Sequence, residues 1–237
     1  MGKPEFVYIY FIDKPAAAYY YDAAPHPEKI WERQQEELNM RSSSGSLHKT
    51  AELSIFSALI TVLAVLGNFV RFGPFPITLA LAPIVIGAAL NGPRSGAFLG
   101  GVFGVVTLII GLLGWDGGSV MLLFGASPVV LVLMCVGKGV LAGWLAGLVY
   151  RAAEKKNALT AVILAGIVCP VANTGTFLAV MLLVYKELLN QWAGGSDILT
   201  YALFGLTGVN FLVELGVNMV LSSGITSVIR YRKKGKI

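Results

Sequence analysis

The sequence has little charge, little cysteine and little histidine. Only 13% of its 237 residues are Asp, Glu, Lys or Arg, about half of the ~25% that is usual for a soluble globular domain. Its two cysteines, Cys135 and Cys169, lie in apolar runs without a CxxC partner, so neither a disulfide framework nor a thiolate metal site is expected. Because 56% of the residues are hydrophobic, most of the chain is expected to lie in lipid.

Several kinds of catalytic motif are also missing. Both histidines, His26 and His48, precede the apolar region, which argues against a histidine-ligated zinc site or a Ser–His hydrolase within the bilayer. Gly137-Lys138-Gly139 has neither the spacing nor the Ser or Thr of a GxxxxGK[ST] phosphate loop, so the chain is not expected to hydrolyse ATP itself. The sequence therefore predicts no cofactor and no resident metal, and it disfavours an embedded enzyme.

The charges are distributed unevenly along the chain. Residues 51–237 contain 12 of the 18 basic residues but only 6 of the 13 acidic ones. A basic excess within an apolar region indicates membrane topology rather than a nucleic-acid partner. Residues 1–50 are interpreted as an N-terminal extension, and two interpretations of it remain open. It is either a cytoplasmic extension, disordered or with a short helix near 27–39, or a misassigned start that precedes the true start at Met40.

The apolar region from residue 51 onward predicts an all-α integral membrane protein with six transmembrane helices. The spacing of glycines, prolines and charges divides it into segments of nearly the length needed to cross a ~30 Å hydrocarbon core. One set of connections contains ten Lys and Arg residues, whereas the other set contains only Arg71 and Lys186. This bias places both termini in the cytoplasm of a multi-pass cell-membrane protein. The predicted spans are 51–69, 75–91, 95–113, 129–151, 158–186 and 200–230.

Small residues recur at helical spacing on three of these spans. The third and fourth spans each contain a GxxxGxxxG ladder, which favours close helix packing within the molecule. In the first span Ser54, Ala58 and Thr61 form a further stripe. This stripe either packs within the chain or contacts a separate membrane protein. The ladders consist of Gly96, Gly100 and Gly104, and of Gly139, Gly143 and Gly147.

Polar residues lie deep in three predicted spans. Lys138 and Glu214 are roughly 13 and 21 Å from the outer ends of the fourth and sixth spans, at 1.5 Å per residue. On the fifth span Asn173 and Thr174 lie at a similar depth, and Asn210 precedes Glu214 by one helical turn. Because ionisable groups are costly in lipid, residues of this kind indicate either a binding site or a structural ion pair.

Three interpretations of these polar residues remain open. In the first, they form a pocket for a small polar solute, with Lys138 as counter-ion to an anionic group. Trp115 and the outer loops, 114–128 and 187–199, would then close over the pocket. In the second, Lys138 and Glu214 pair directly and fix the bundle of a structural scaffold. In the third, the same two residues are the acid/base pair of a membrane-embedded enzyme.

Three stretches together resemble a known family. The run LAPIVIGAALNGPRSGAFLG at 81–100, the stretch KGVLAG at 138–143 and the stretch PVANTGTF at 170–177 are similar to the substrate-binding (S) components of energy-coupling factor (ECF) transporters. The resemblance implies a six-helix vitamin-capture subunit of a prokaryotic cell membrane. It also implies association with a membrane coupling subunit and two ATPase subunits, and release of the vitamin inside by toppling in the bilayer.

The resemblance further implies roles for individual residues. In the family the first helix contacts the coupling subunit through an Ala-xxx-Ala motif, to which Ser54 and Ala58 correspond here. Ligand contacts in the family come from the outer loops and the fourth to sixth helices. The Asn173-Thr174 pair resembles members assigned to pantothenate, whose carboxylate would suit Lys138. Folate, riboflavin or another vitamin remain alternatives.

Overall fold

The computed structural model describes residues 27–69, 78–208 and 211–220. In these ranges the regular structure is helical and no strand occurs. The chain divides between His48 and Lys49 into two units. The first contains the N-terminal part of the first helix, and the interfaces and the cavity described below lie in the second. The helices are α1 (Pro27–Gly67), α2 (Leu81–Asn91), α3 (Pro93–Leu112), α4 (Ser119–Ala126), α5 (Pro128–Ala153), α6 (Ala158–Leu183), α7 (Lys186–Ala193), α8 (Ile198–Thr200) with the π-helix Tyr201–Leu206, and α9 (Phe211–Val220).

Four of the described helices are long and apolar enough to cross a membrane. They are Leu47–Gly67 of α1, α3, α5 and α6, and a fifth span exists if Ile198–Leu206 and α9 count as one span with a 41° bend. The second predicted span, 75–91, corresponds to α2, which has 11 residues and is shorter than the ~20 that a full span needs. Residues 70–77 lie outside the described ranges.

The two glycine ladders face each other across the α3–α5 interface. A Cβ added to Gly96 would overlap the carbonyl oxygen of Gly143, and one added to Gly100 would overlap that of Gly139. The pairing runs in opposite directions along the two helices, so α3 and α5 are antiparallel. Side chains are excluded there because backbone lies against backbone, which confirms the predicted close packing within the molecule.

A sharp corner joins α2 to α3. Gly92 has φ of 91°, a conformation that favours glycine, and Pro93 occupies the first turn of α3, where its missing N–H costs no hydrogen bond. A Cβ at Gly92 would also overlap the guanidinium group of Arg151. Nearby, Asn91 Nδ2 donates to Glu52 Oε2 at 3.0 Å, which joins α1 to the end of α2.

The predicted outer loops are partly helical: α4 lies within 114–128, and most of α7 and the start of α8 lie within 187–199. The carboxylate of Asp116 accepts hydrogen bonds from the N–H groups of Gly118 (3.1 Å) and Val120 (2.7 Å), and these bonds fix the entry to α4. Asn68 Nδ2 donates to the carbonyl oxygen of Trp115 at 2.7 Å. The end of α1 is thereby joined to the segment that precedes α4.

Candidate functional site

A cavity of about 120 Å³ lies among α1, α3, α5, α6 and the segments around the π-helix and α9. A single water molecule needs roughly 10–15 Å³, so the cavity has room for a small organic molecule. Its apolar wall includes the aromatic rings of Phe103, Phe177 and Phe211. Its polar lining consists of Asn68, Thr78, Thr107, Asp116, Lys138, Asn173, Thr174, Thr207 and Glu214.

Four of the residues predicted for a binding site line this cavity. Lys138 comes from α5, Asn173 and Thr174 from α6, and Glu214 from α9. Helix packing thus brings together residues that are up to 76 positions apart in the sequence. Asn210 lies outside the described residues.

Trp115 is not among the lining residues. Its side chain is 51% exposed, and its backbone carbonyl is the group that Asn68 contacts. The neighbouring Asp116 is buried and lines the cavity instead. In this conformation the outer segment therefore contributes to the site through Asp116 rather than through the indole ring of Trp115.

Lys138 is stacked against an aromatic ring. Its Nζ lies 5.4 Å from the centroid of the Phe177 ring, within the range of a cation–π interaction. Within the described ranges Lys138 forms no ion pair with Glu214. The direct Lys138–Glu214 pair, one of the alternatives from the sequence, is therefore absent from this arrangement. The ammonium group is instead held at the cavity wall, where an anionic group of a ligand could reach it.

Glu214 and Asn173 are both 4% exposed. Oε1 of Glu214 accepts a 2.9 Å hydrogen bond from the backbone N–H of Thr78. In the described part of the chain, no group donates to Oε2 of Glu214 or to Oδ1 of Asn173. Since buried polar atoms in proteins almost always have a partner, these two oxygens in a cavity wall are candidate ligand contacts.

Five polar lining residues were not among the residues predicted for the site: Asn68, Thr78, Thr107, Asp116 and Thr207. Asp116 carried a usable signal, because Asp-Gly-Gly-Ser before an apolar run is typical of a helix start. Asn68 stood at the end of a predicted span, and Thr78 stood inside another. Nothing in their local sequence indicated that they would face a cavity.

The stripe on α1 is exposed. Ser54, Ala58 and Thr61 all lie on the surface, and only 17% of the Leu47–Gly67 window is buried. The hydroxyls of Ser54 and Thr61 donate to carbonyl oxygens one turn earlier, at 3.0 and 2.9 Å. The described part of the chain therefore does not cover the stripe, and the interpretation in which it packs within the molecule does not apply to these residues.

Residues 48–229 match the family model of the ECF transporter substrate-specific component. The chain belongs to this family. Members are the substrate-binding subunits of transporters rather than enzymes, and the cavity lies within the matched region. The chain is also 28% identical over 197 residues to the pantothenic acid transporter PanT of Lactococcus lactis subsp. cremoris (strain MG1363), an alignment that covers 78% of this chain and 94% of that protein. The family resemblance inferred from the sequence is thus confirmed.

Proposed function

We propose that the protein captures a small water-soluble vitamin from outside the cell and delivers it to the cytoplasm, driven by ATP hydrolysis in partner subunits. The observation that carries this proposal is the cavity in which Lys138, Asn173, Thr174 and Glu214 converge. A mostly apolar pocket with a few convergent polar groups is typical of a small-molecule site. Family membership supports a role in transport, with a membrane coupling subunit and two ATPase subunits as partners.

Pantothenate is the ligand that we propose. Two observations support it: the relative in Lactococcus lactis is named a pantothenic acid transporter, and Lys138 offers a positive charge to a carboxylate within the cavity. A charge-assisted hydrogen bond between an ammonium and a carboxylate is stronger than a neutral one and would orient the ligand. Folate and riboflavin are the competing ligands in the test below.

We further propose six spans with both termini in the cytoplasm, and an N-terminal extension outside the membrane domain. The distribution of Lys and Arg along the sequence supports this topology. In it, α2 and the residues before it form the second span, and Ile198–Leu206 together with α9 contributes to the sixth. The exposed stripe of Ser54, Ala58 and Thr61 on α1 is the proposed contact with the coupling subunit.

The decisive experiment is to purify the full chain and to identify by mass spectrometry any small molecule that accompanies it. Thermal unfolding is then recorded with pantothenate, folate, riboflavin and other vitamins. A ligand at 100 times its Kd is expected to stabilise the folded state by about 2.7 kcal/mol. If no vitamin raises the unfolding midpoint, the proposal is wrong. Turnover of a substrate by the isolated chain, without ATPase subunits, would favour the embedded-enzyme alternative instead.

A further inference from the structure

The cavity wall contains two buried oxygen atoms that need hydrogen-bond donors. Oε2 of Glu214 and Oδ1 of Asn173 have no donor in the described residues, and both side chains are 4% exposed. Oε1 of Glu214 is already occupied by the N–H of Thr78. An ionised carboxylate can only accept hydrogen bonds. The carboxylate form of Glu214 would therefore be satisfied by an O–H or N–H group of a ligand.

The same wall presents one positive charge. Lys138 Nζ rests on the Phe177 ring, and no carboxylate of the described chain is paired with it. An ammonium group has three donors and no acceptor, so it favours an anionic or strongly accepting group. The demands of Lys138 on α5 and Glu214 on α9 are opposite, so different groups of one ligand would meet them.

The remaining wall favours an aliphatic connection between those parts. Ile110, Val120, Leu123, Met134 and Leu206 all line the cavity and offer no hydrogen bonds. An aliphatic ligand segment in contact with them gains affinity because its apolar surface is buried. Further polar groups on that segment would reduce the affinity because they would stay unpaired.

Resting on the proposed function, we infer that the site selects a carboxylate that carries separate hydroxyl or amide N–H donors on an aliphatic skeleton. The carboxylate binds Lys138, and the donors bind Oε2 of Glu214 and Oδ1 of Asn173. Glu214 and Asn173 are thus specificity-determining residues that distinguish an acid with donors for both oxygens from an acid with fewer donors. Each unmatched acceptor is expected to reduce affinity by about 10- to 100-fold, because a buried acceptor stays unpaired.

The test compares three probes on the full chain in detergent or nanodiscs, with Kd measured by calorimetry. They are pantothenate, pantothenol, in which an alcohol replaces the carboxylate, and 3,3-dimethylbutanoyl-β-alanine, which lacks both hydroxyls. The wild type is expected to bind both analogues at least about tenfold more weakly than pantothenate. This comparison needs no variant, so a failure of any variant to fold does not affect it.

The variants then assign each preference to a residue. Glu214→Leu removes both donor and acceptor capacity. It is expected to reduce the difference in affinity between pantothenate and the analogue without hydroxyls, and to leave the difference between pantothenate and pantothenol unchanged. Lys138→Met is expected to reduce the difference in affinity between pantothenate and pantothenol, and to leave the difference for the analogue without hydroxyls unchanged. Opposite responses of the two variants would assign the carboxylate to Lys138 and the hydroxyls to Glu214. Asn91→Leu is the control, because Asn91 contacts Glu52 away from the cavity and should alter neither difference. Unfolding of each ligand-free variant verifies its fold.

The outcomes separate this inference from the proposed function. If the wild type binds pantothenate and the analogue without hydroxyls equally well, or if Glu214→Leu leaves that difference in affinity unchanged, the inference is overturned and vitamin capture stands. If only an uncharged vitamin such as riboflavin binds, the inference is overturned, whereas vitamin capture again stands. If no vitamin binds, the proposed function is overturned and the inference fails with it.

Discussion

The backbone N–H of Thr78 donates a 2.9 Å hydrogen bond to Oε1 of Glu214, a residue 136 positions further along the chain. This contact joins the segment before α2 to α9 at the wall of the cavity. The contact satisfies only one oxygen of the Glu214 carboxylate. The other oxygen, Oε2, has no donor in the described residues. Glu214 therefore positions two segments and can contact a ligand at the same time.

This contact predicts different effects for two substitutions at Glu214. Glu214→Gln retains an oxygen that can accept from Thr78, whereas Glu214→Leu retains none. We expect the Thr78 amide to exchange faster with deuterium in Glu214→Leu than in Glu214→Gln, because only the leucine variant loses the bond. Hydrogen exchange measured by mass spectrometry on the peptide that contains Thr78 tests this. Equal exchange in both variants would show that the contact does not hold the segment.

Lys138 is expected to contribute to affinity through its charge. Hydrogen bonds to charged groups contribute about 1.5–3 kcal/mol, so Lys138→Ala should weaken binding of a carboxylate ligand by about 10- to 100-fold. Lys138→Arg keeps the positive charge and should lose less. Calorimetric titration of both variants measures the difference. A Lys138→Ala protein that binds every candidate vitamin as tightly as the wild type would refute the counter-ion role.

The glycine ladder predicts that one methyl group added at the α3–α5 interface lowers the stability of the fold. A Cβ at Gly100 would overlap the carbonyl oxygen of Gly139, so Gly100→Ala must separate α3 from α5, at a cost of about 1–3 kcal/mol for overpacking. Gly137 lies on the same α5 helix with no atom within 4 Å of an added Cβ. Gly137→Ala should therefore be neutral or stabilising by up to ~1 kcal/mol. Thermal unfolding of both variants in one detergent tests the contrast, and equal midpoints would contradict the described interface.

Asp116 is expected to stabilise the outer segment. Its carboxylate accepts from the N–H groups of Gly118 and Val120 at the start of α4. Removing such a cap typically costs about 0.5–2 kcal/mol, so Asp116→Ala should lower the unfolding midpoint. Asp116→Asn retains one acceptor oxygen and should lower it less. A midpoint unchanged by Asp116→Ala would mean that these bonds contribute nothing to the stability of the outer segment.

Local sequence patterns were sufficient for α3, α5 and α6 and for the α3–α5 interface, but not for the full extent of α1 (Pro27–Gly67). The ladder around Gly100 and Gly139 has a periodicity that can be read directly, and the ionisable Lys138 and Glu214 stand out in apolar runs. The π-helix Tyr201–Leu206 could not be predicted, because its hydrogen bonding depends on tertiary packing rather than on a residue pattern. The residues of the apolar cavity wall could not be predicted either. In a membrane protein a side chain such as Phe103, which lines the cavity, has the same character as one that faces lipid.

The exposed stripe on α1 gives the sharpest test of coupling to partner subunits. Ala58 is exposed between Ser54 and Thr61, and small residues at this spacing allow another helix to approach closely. Ala58→Trp should therefore abolish ATP-driven uptake in vesicles that contain the coupling and ATPase subunits, while the Kd for the vitamin stays unchanged. Leu59→Trp is the matched control: Leu59 is also exposed, but it lies about 100° around the helix from Ala58 and should preserve uptake. If uptake survives Ala58→Trp, or if both variants lose it equally, the stripe is not the docking face.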